Sequence, residues 1–213
     1  MSTITTKEEQ HLHRLILFSD AVFAIAITLL AIEIHPPEHW TGVADLFAQM
    51  QTRLMAYAVS FGVVGIYWIS HRRTFSRLRK ADGTLDILNL LMLGLLALLP
   101  LTTELLWEAA GATSAVVVYV GLVASIGVAH AVAWAYAAFP GQLTEPMGTA
   151  EKIYVLLRVA LLPGLMCGLT FLSIMTRTPW GWLGIAVIVA GLTTVNRLMS
   201  RGARPLIPQT AED

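Results

Sequence analysis

Ser19 and Asp20 stand near the start of a long apolar run. Arg14 to Ile34 reads R-L-I-L-F-S-D-A-V-F-A-I-A-I-T-L-L-A-I-E-I, with no charge between Asp20 and Glu33. A carboxylate near the start of a membrane helix is costly unless it finds donors. The pair is therefore either a helix-packing device or part of a site. Candidate donors are Trp68 and His71, which end a second apolar run, and Asn89, which lies early in a third. They offer an indole N–H, an imidazole N–H and a carboxamide. At one common depth, Ser19, Asp20, Trp68, His71 and Asn89 would join helix one to helices two and three. The alternative gives each polar residue its own interfacial contact.

Other constellations are weaker. His35-x-x-Glu38-His39 has a metal-like spacing, but Pro36 and Pro37 sit inside it and argue against a shared helix face. Asp20 with His71 could be read as an acid–base pair, yet no nucleophile or metal partner is evident nearby, and neither HExxH nor GxSxG is present. The chain is not expected to be an enzyme. His130 reads as a satisfied or interfacial histidine. The lone Cys167 lies in an apolar run and reads as an inert small hydrophobe.

These residues must be held by elements that the composition makes apolar. The 213 residues are 56% hydrophobic and 13% charged, against about 25% charged in soluble domains. The apolar residues fall into blocks, several long enough to cross a ~30 Å hydrocarbon core as helices. The expected fold is an all-α membrane protein with six spans, at about 15–34, 54–70, 85–106, 115–139, 153–175 and 181–198. Residues 1–213 are expected to form a single six-helix unit without internal repeats. The N-terminus is mixed in charge and lacks a signal-peptide pattern, so helix one is expected to be retained. Thr41 to Arg53 reads as an amphipathic lead-in to helix two, and Pro163 should kink helix five.

Charge orients the spans. The densest basic run, Arg72 to Lys80, belongs on the cytoplasmic side, where it also meets anionic headgroups. Six spans then put both termini inside. Of the 14 lysines and arginines, only Arg53 and Arg177 fall outside. The formal net charge of zero implies no nucleic-acid partner. The expected location is the cell membrane, as a multi-pass protein.

On a wheel of ~100° per residue, Ile25, Thr28, Leu29 and Ile32 share one face of helix one. Asp20 lies about 140° from Ile25 and Ser19 about 120° away on the other side. If the isoleucine stripe lined a pore, Asp20 would look back into the bundle, buried and in need of donors.

The pattern R-x-x-x-F-S-D, here Arg14, Phe18, Ser19 and Asp20, followed by A-x-x-x-I-x-x-T-x-x-x-I, resembles helix one of the lysosomal potassium channel family, transmembrane protein 175, and its prokaryotic relatives. Trp68-x-x-His71 and Asn89 are similar to that family too. The resemblance implies a homotetramer with helix one of each subunit lining a central pore. It implies a constriction of Ile25, Thr28 and Ile32, without a T-V-G-Y-G filter. Ser19 and Asp20 would join an inter-helix network with Trp68, His71 and Asn89, and Arg14 would belong to the same motif. The expected activity is a leak-type potassium conductance with proton permeation secondary.

An apolar ring gates by dewetting, and four Thr28 hydroxyls could replace some water around a passing cation, with modest selectivity. Glu33 and Glu38, with Glu104 and Glu108, would place negative charge at the outer mouth. No cofactor is expected, K⁺ being the permeant ion. The expected partners are further copies of the chain and membrane lipid, with no small-molecule substrate beyond permeant cations. A secondary transporter would favour inverted repeats around a midplane site. A non-conducting assembly or structural protein is the remaining rival.

Overall fold

The computed structural model describes residues 7–109 and 112–159. The described residues fall in one compact unit. The span expected at 181–198, the part of the fifth beyond 159, the Pro163 kink and Cys167 lie outside the described residues.

Helix α1 runs from Lys7 to Ile32. It contains neither proline nor glycine, and Glu8 and Glu9 in its first turn complement the helix dipole. It thus starts earlier than the apolar run alone implies. Pro36 and Pro37 follow its end. There Arg53 Nη1 donates to the His35 carbonyl at 2.6 Å and its guanidinium lies 4.3 Å over the Trp107 ring.

Helix α2, Val43–Phe75, has 33 residues and is roughly 50 Å long. The amphipathic lead-in and the apolar span are therefore one continuous helix, longer than a hydrocarbon core needs. At its start, Asp45 accepts from both the backbone N–H and the hydroxyl of Thr41.

The third apolar run divides. Helix α3, Gly83–Ala97, is capped by Asp82, whose carboxylate accepts from the Leu85 N–H at 2.9 Å. Helix α4, Leu99–Glu108, follows after Leu98. The break has a plain cause. Pro100 has no N–H to continue the ladder, and its ring crowds the preceding turn. Proline is well placed in the first turn of α4. Helix α5, Thr113–Ala138, stops just before Pro140-Gly141. Residues 149–159 are helical.

Four stretches are long and apolar enough to cross a membrane: Lys7–Ile32, Val43–Phe75, Gly83–Glu108 and Thr113–Ala138. Among the described residues there is no strand. One isolated antiparallel bridge, Leu78 to Thr144, joins the turn after α2 to the turn after α5. Two apolar clusters hold the bundle. One gathers the basic end, with Leu12, Leu15, Phe75, Leu85, Trp134 and Val155. The other fills the middle, with Phe23, Leu30, Tyr67, Met92, Leu96 and Ile126.

Candidate functional site

The faces of α1 are sharply divided. Leu12, Leu15, Ser19, Phe23, Ala26 and Leu30 are buried. The opposite side carries Phe18, Ile25, Thr28, Leu29 and Ile32, with Phe18 50%, Ile25 57% and Ile32 63% exposed. The isoleucine stripe therefore points away from the chain's own bundle. Ser19, fully buried, sits at the centre of the inward face.

A polar chain starts at Ser19. Its hydroxyl donates to the Leu15 carbonyl at 2.9 Å and accepts from Asn89 Nδ2 at 2.9 Å. The Asn89 carbonyl oxygen then faces His71 Nε2 at 3.0 Å. Because the amide is committed to Ser19, the oxygen must accept, so His71 carries its proton on Nε2. The His71 ring stacks on Phe75 at 3.9 Å and lies 5.5 Å from Phe23.

One turn along α2, the Thr74 hydroxyl donates to the His71 carbonyl at 2.9 Å and meets His130 Nε2 at 2.9 Å. His130 is 1% exposed, so it lies inside the bundle. The connected groups cross α1, α3, α2 and α5. His130 Nδ1 is buried with no hydrogen-bond partner among the described residues.

Asp20 takes a different place. It lies on the flank of α1, partly buried, and accepts from Trp68 Nε1 at 2.8 Å. Arg72 lies 5.2 Å over the Trp68 ring, so a cation backs the indole that donates to the carboxylate. The sequence reading put the burial on Asp20. The structure puts it on its neighbour, because Ser19 falls on the midline of the inward face. Ser19, Asn89 and His71 are thus one connected set, and Asp20 with Trp68 a second. Arg14 and Phe18 join neither. Both lie on the exposed side of α1, and Arg14 makes no hydrogen bond or ion pair among the described residues.

Thr28 Oγ1 donates to the Ile25 carbonyl at 2.8 Å. Its proton faces its own helix, and its lone pairs remain for other use. Glu33 and Glu38 follow α1, the first partly buried and the second exposed. Among the described residues, no three His, Cys, Asp or Glu side chains are grouped to hold a metal.

Thr74 and a second buried network were not legible in the sequence, whereas His130 was read there as a satisfied or interfacial histidine and is buried with Thr74 as its Nε2 partner. Ser60 stands 3.0 Å from the Tyr119 hydroxyl and accepts from Thr103 at 2.8 Å. The Tyr67 hydroxyl donates to the Val123 carbonyl at 2.6 Å. The available signal was the polar residue inside each apolar run. Its direction was hidden, because helices uniformly apolar around their girth do not reveal their rotation.

These apolar helices with buried polar ties define the chain as a multi-pass helical membrane protein. A family model described as the endosomal/lysosomal potassium channel TMEM175 matches residues 14–100. A potassium channel of Chamaesiphon minutus is 28% identical over 88% of this chain and 95% of its own length. A potassium channel of Streptomyces collinus is 36% identical over 61% of this chain and 66% of its own. The rat endosomal/lysosomal proton channel TMEM175 is 34% identical over 46% of this chain, but only 20% of its own length. The crystal structure of a lysosomal potassium-selective channel TMEM175 homolog from Chamaesiphon minutus superposes with a TM-score of 0.66, at 28% identity, covering 88% of this chain and 98% of that one. The chain is a relative of the TMEM175 channels. The relatives are channels, not enzymes.

Proposed function

We propose that the chain is a potassium-permeable, leak-type cation channel, one six-helix unit per subunit with both termini cytoplasmic, assembled as a homotetramer around α1. The observation that carries this reading is the unpartnered face of α1. Phe18, Ala21, Ile25, Thr28 and Ile32 continue the Arg14 line at alternating steps of four and three, a period of 3.5 that keeps one seam facing a partner helix. The opposite face is fixed by Ser19, so the seam is free to meet other copies.

Around a fourfold axis that seam lines a pore. Ile25 and Ile32 form apolar rings that dewet when narrow. Thr28 lies between them with its proton donated inward, so four such oxygens present lone pairs to a cation. Leu29 flanks the ring. Selectivity for K⁺ over Na⁺ is modest because few oxygens coordinate at once. Glu33 and Glu38 raise the cation concentration at the outer mouth. The seam holds no titratable group between Arg14 and Glu33, so protons pass only through water in the opened ring, as a secondary permeant.

The test is potassium flux in proteoliposomes for the wild type and Ile25→Asn. Wild-type flux that the substitution raises, or whose selectivity it erodes, supports the reading. A well-folded but silent wild type removes it.

A further inference from the structure

We propose that the basic end of the bundle holds the phosphate of an anionic lipid headgroup between Arg73, Arg158 and the Tyr154 hydroxyl. This rests on the membrane reading, not on conduction. The basic run after α2 is not a free loop. Arg77 pairs with Glu151, Arg79 N–H donates to the Leu143 carbonyl at 2.8 Å, and Leu78 bridges Thr144. These ties fix the end of α2 against the helical run 149–159, whose Val155 and Val159 pack with Phe75 and Leu78.

The register follows. Glu151, Tyr154 and Arg158 are spaced i, i+3 and i+7, so they share one face. Glu151 is held by Arg77 at one level. Arg73 is one turn up α2, and Arg158 is roughly 10 Å up the other helix. The like charges of Arg73 and Arg77 both act on partly buried Arg158. Neither Arg73 nor Arg158 has an ion pair among the described residues. The Tyr154 hydroxyl is buried without a hydrogen-bond partner among them. The register thus brings two guanidinium groups without ion pairs and an idle O–H to one end of the bundle, a donor set for a phosphate, which arginine engages through paired N–H groups. By the positive-inside rule this level is the cytoplasmic interface, where anionic headgroups lie.

The experiment is native mass spectrometry of the full chain in detergent, titrated with phosphatidylglycerol or phosphatidylcholine. Phosphatidylglycerol is expected to be retained preferentially. Arg158→Gln and Arg73→Gln should each lower its occupancy about fivefold, while Lys80→Gln, in the same basic run, leaves it unchanged. Tyr154→Phe removes the donor without changing charge and should also lower it, which diffuse attraction would not do. This variant and Arg73→Gln decide the matter if Arg158→Gln fails to fold. Equal retention of phosphatidylcholine, or an equal loss in Lys80→Gln, overturns the proposal. Displacement by millimolar inorganic phosphate overturns the lipid source and assigns the site to a soluble phosphate.

Discussion

Asn89 and Ser19, 70 residues apart, meet at 2.9 Å inside the bundle, with the amide of one donating to the hydroxyl of the other. This bond ties α1 to α3, and it orients Asn89 so that its oxygen faces His71. The polar tie on the inward face of α1 is therefore a neutral hydrogen bond from Ser19, while Asp20 beside it bonds Trp68 from the flank.

Asn89→Ala should leave both the Ser19 oxygen and the His71 Nε2–H without their partner. Buried polar groups stripped of partners cost about 1–3 kcal/mol, and inter-helix bonds in membranes fall toward the lower end. The expected result is a lower melting temperature in detergent, larger than that of Ser19→Ala, which strands one amide N–H only. Equal melting temperatures for Asn89→Ala and the wild type would show that the chain of bonds has no energetic weight.

Trp68→Phe removes the N–H that Asp20 accepts while keeping a ring under Arg72. A loss of about 1 kcal/mol is expected. Asp20→Asn should show a smaller effect in the Trp68→Phe background than in the wild type. The double-mutant cycle should return a coupling of at least ~0.5 kcal/mol, and a coupling of zero would mean that the two groups act separately.

Thr28→Ala should leave stability within about 0.5 kcal/mol, because the side chain is exposed and makes a bond only to its own helix. Its expected effect is on the ratio of K⁺ to Na⁺ flux. Unchanged selectivity would remove Thr28 from the proposed filter and would leave the proposed isoleucine rings untouched.

Arg77 and Glu151 are each partly exposed, at 37% and 42%. Such a pair contributes about 0–1 kcal/mol and weakens with salt. Glu151→Gln should therefore lower the melting temperature slightly at low ionic strength and not at all at high. A salt-independent loss would show a packing role for the glutamate.

Much of this arrangement was legible because depth in a membrane can be read from a sequence. Trp68, His71 and Asn89 close or open their apolar runs beside the basic loop, so their level matched that of Ser19 and Asp20. Rotation was harder to read. Nothing in the letters S-D tells which of two adjacent residues faces inward, and the answer depends on how Leu12, Leu15, Phe23 and Leu30 pack. His130 was visible as a polar residue in an apolar run, but its partner Thr74 lies on another helix and looks like any surface threonine. The break at Leu98 was half legible, since Pro100 falls inside the span expected at 85–106 but nothing in the apolar run marks the turn where the helix divides. The continuity of α2 was not legible because an amphipathic lead-in and an apolar span differ in composition, although the backbone runs through both.

The grip of Arg53 on the His35 carbonyl gives α1 a mechanical character. At its midpoint the helix is fastened through Ser19 to Asn89. Just past its end the chain is fastened through His35 to an arginine that also rests on Trp107. A rod held at two points does not slide along its length. Under the proposed channel reading, Ile25 and Thr28 lie between those two ties, so widening there calls for bending or twisting of the helix, with neither tie released.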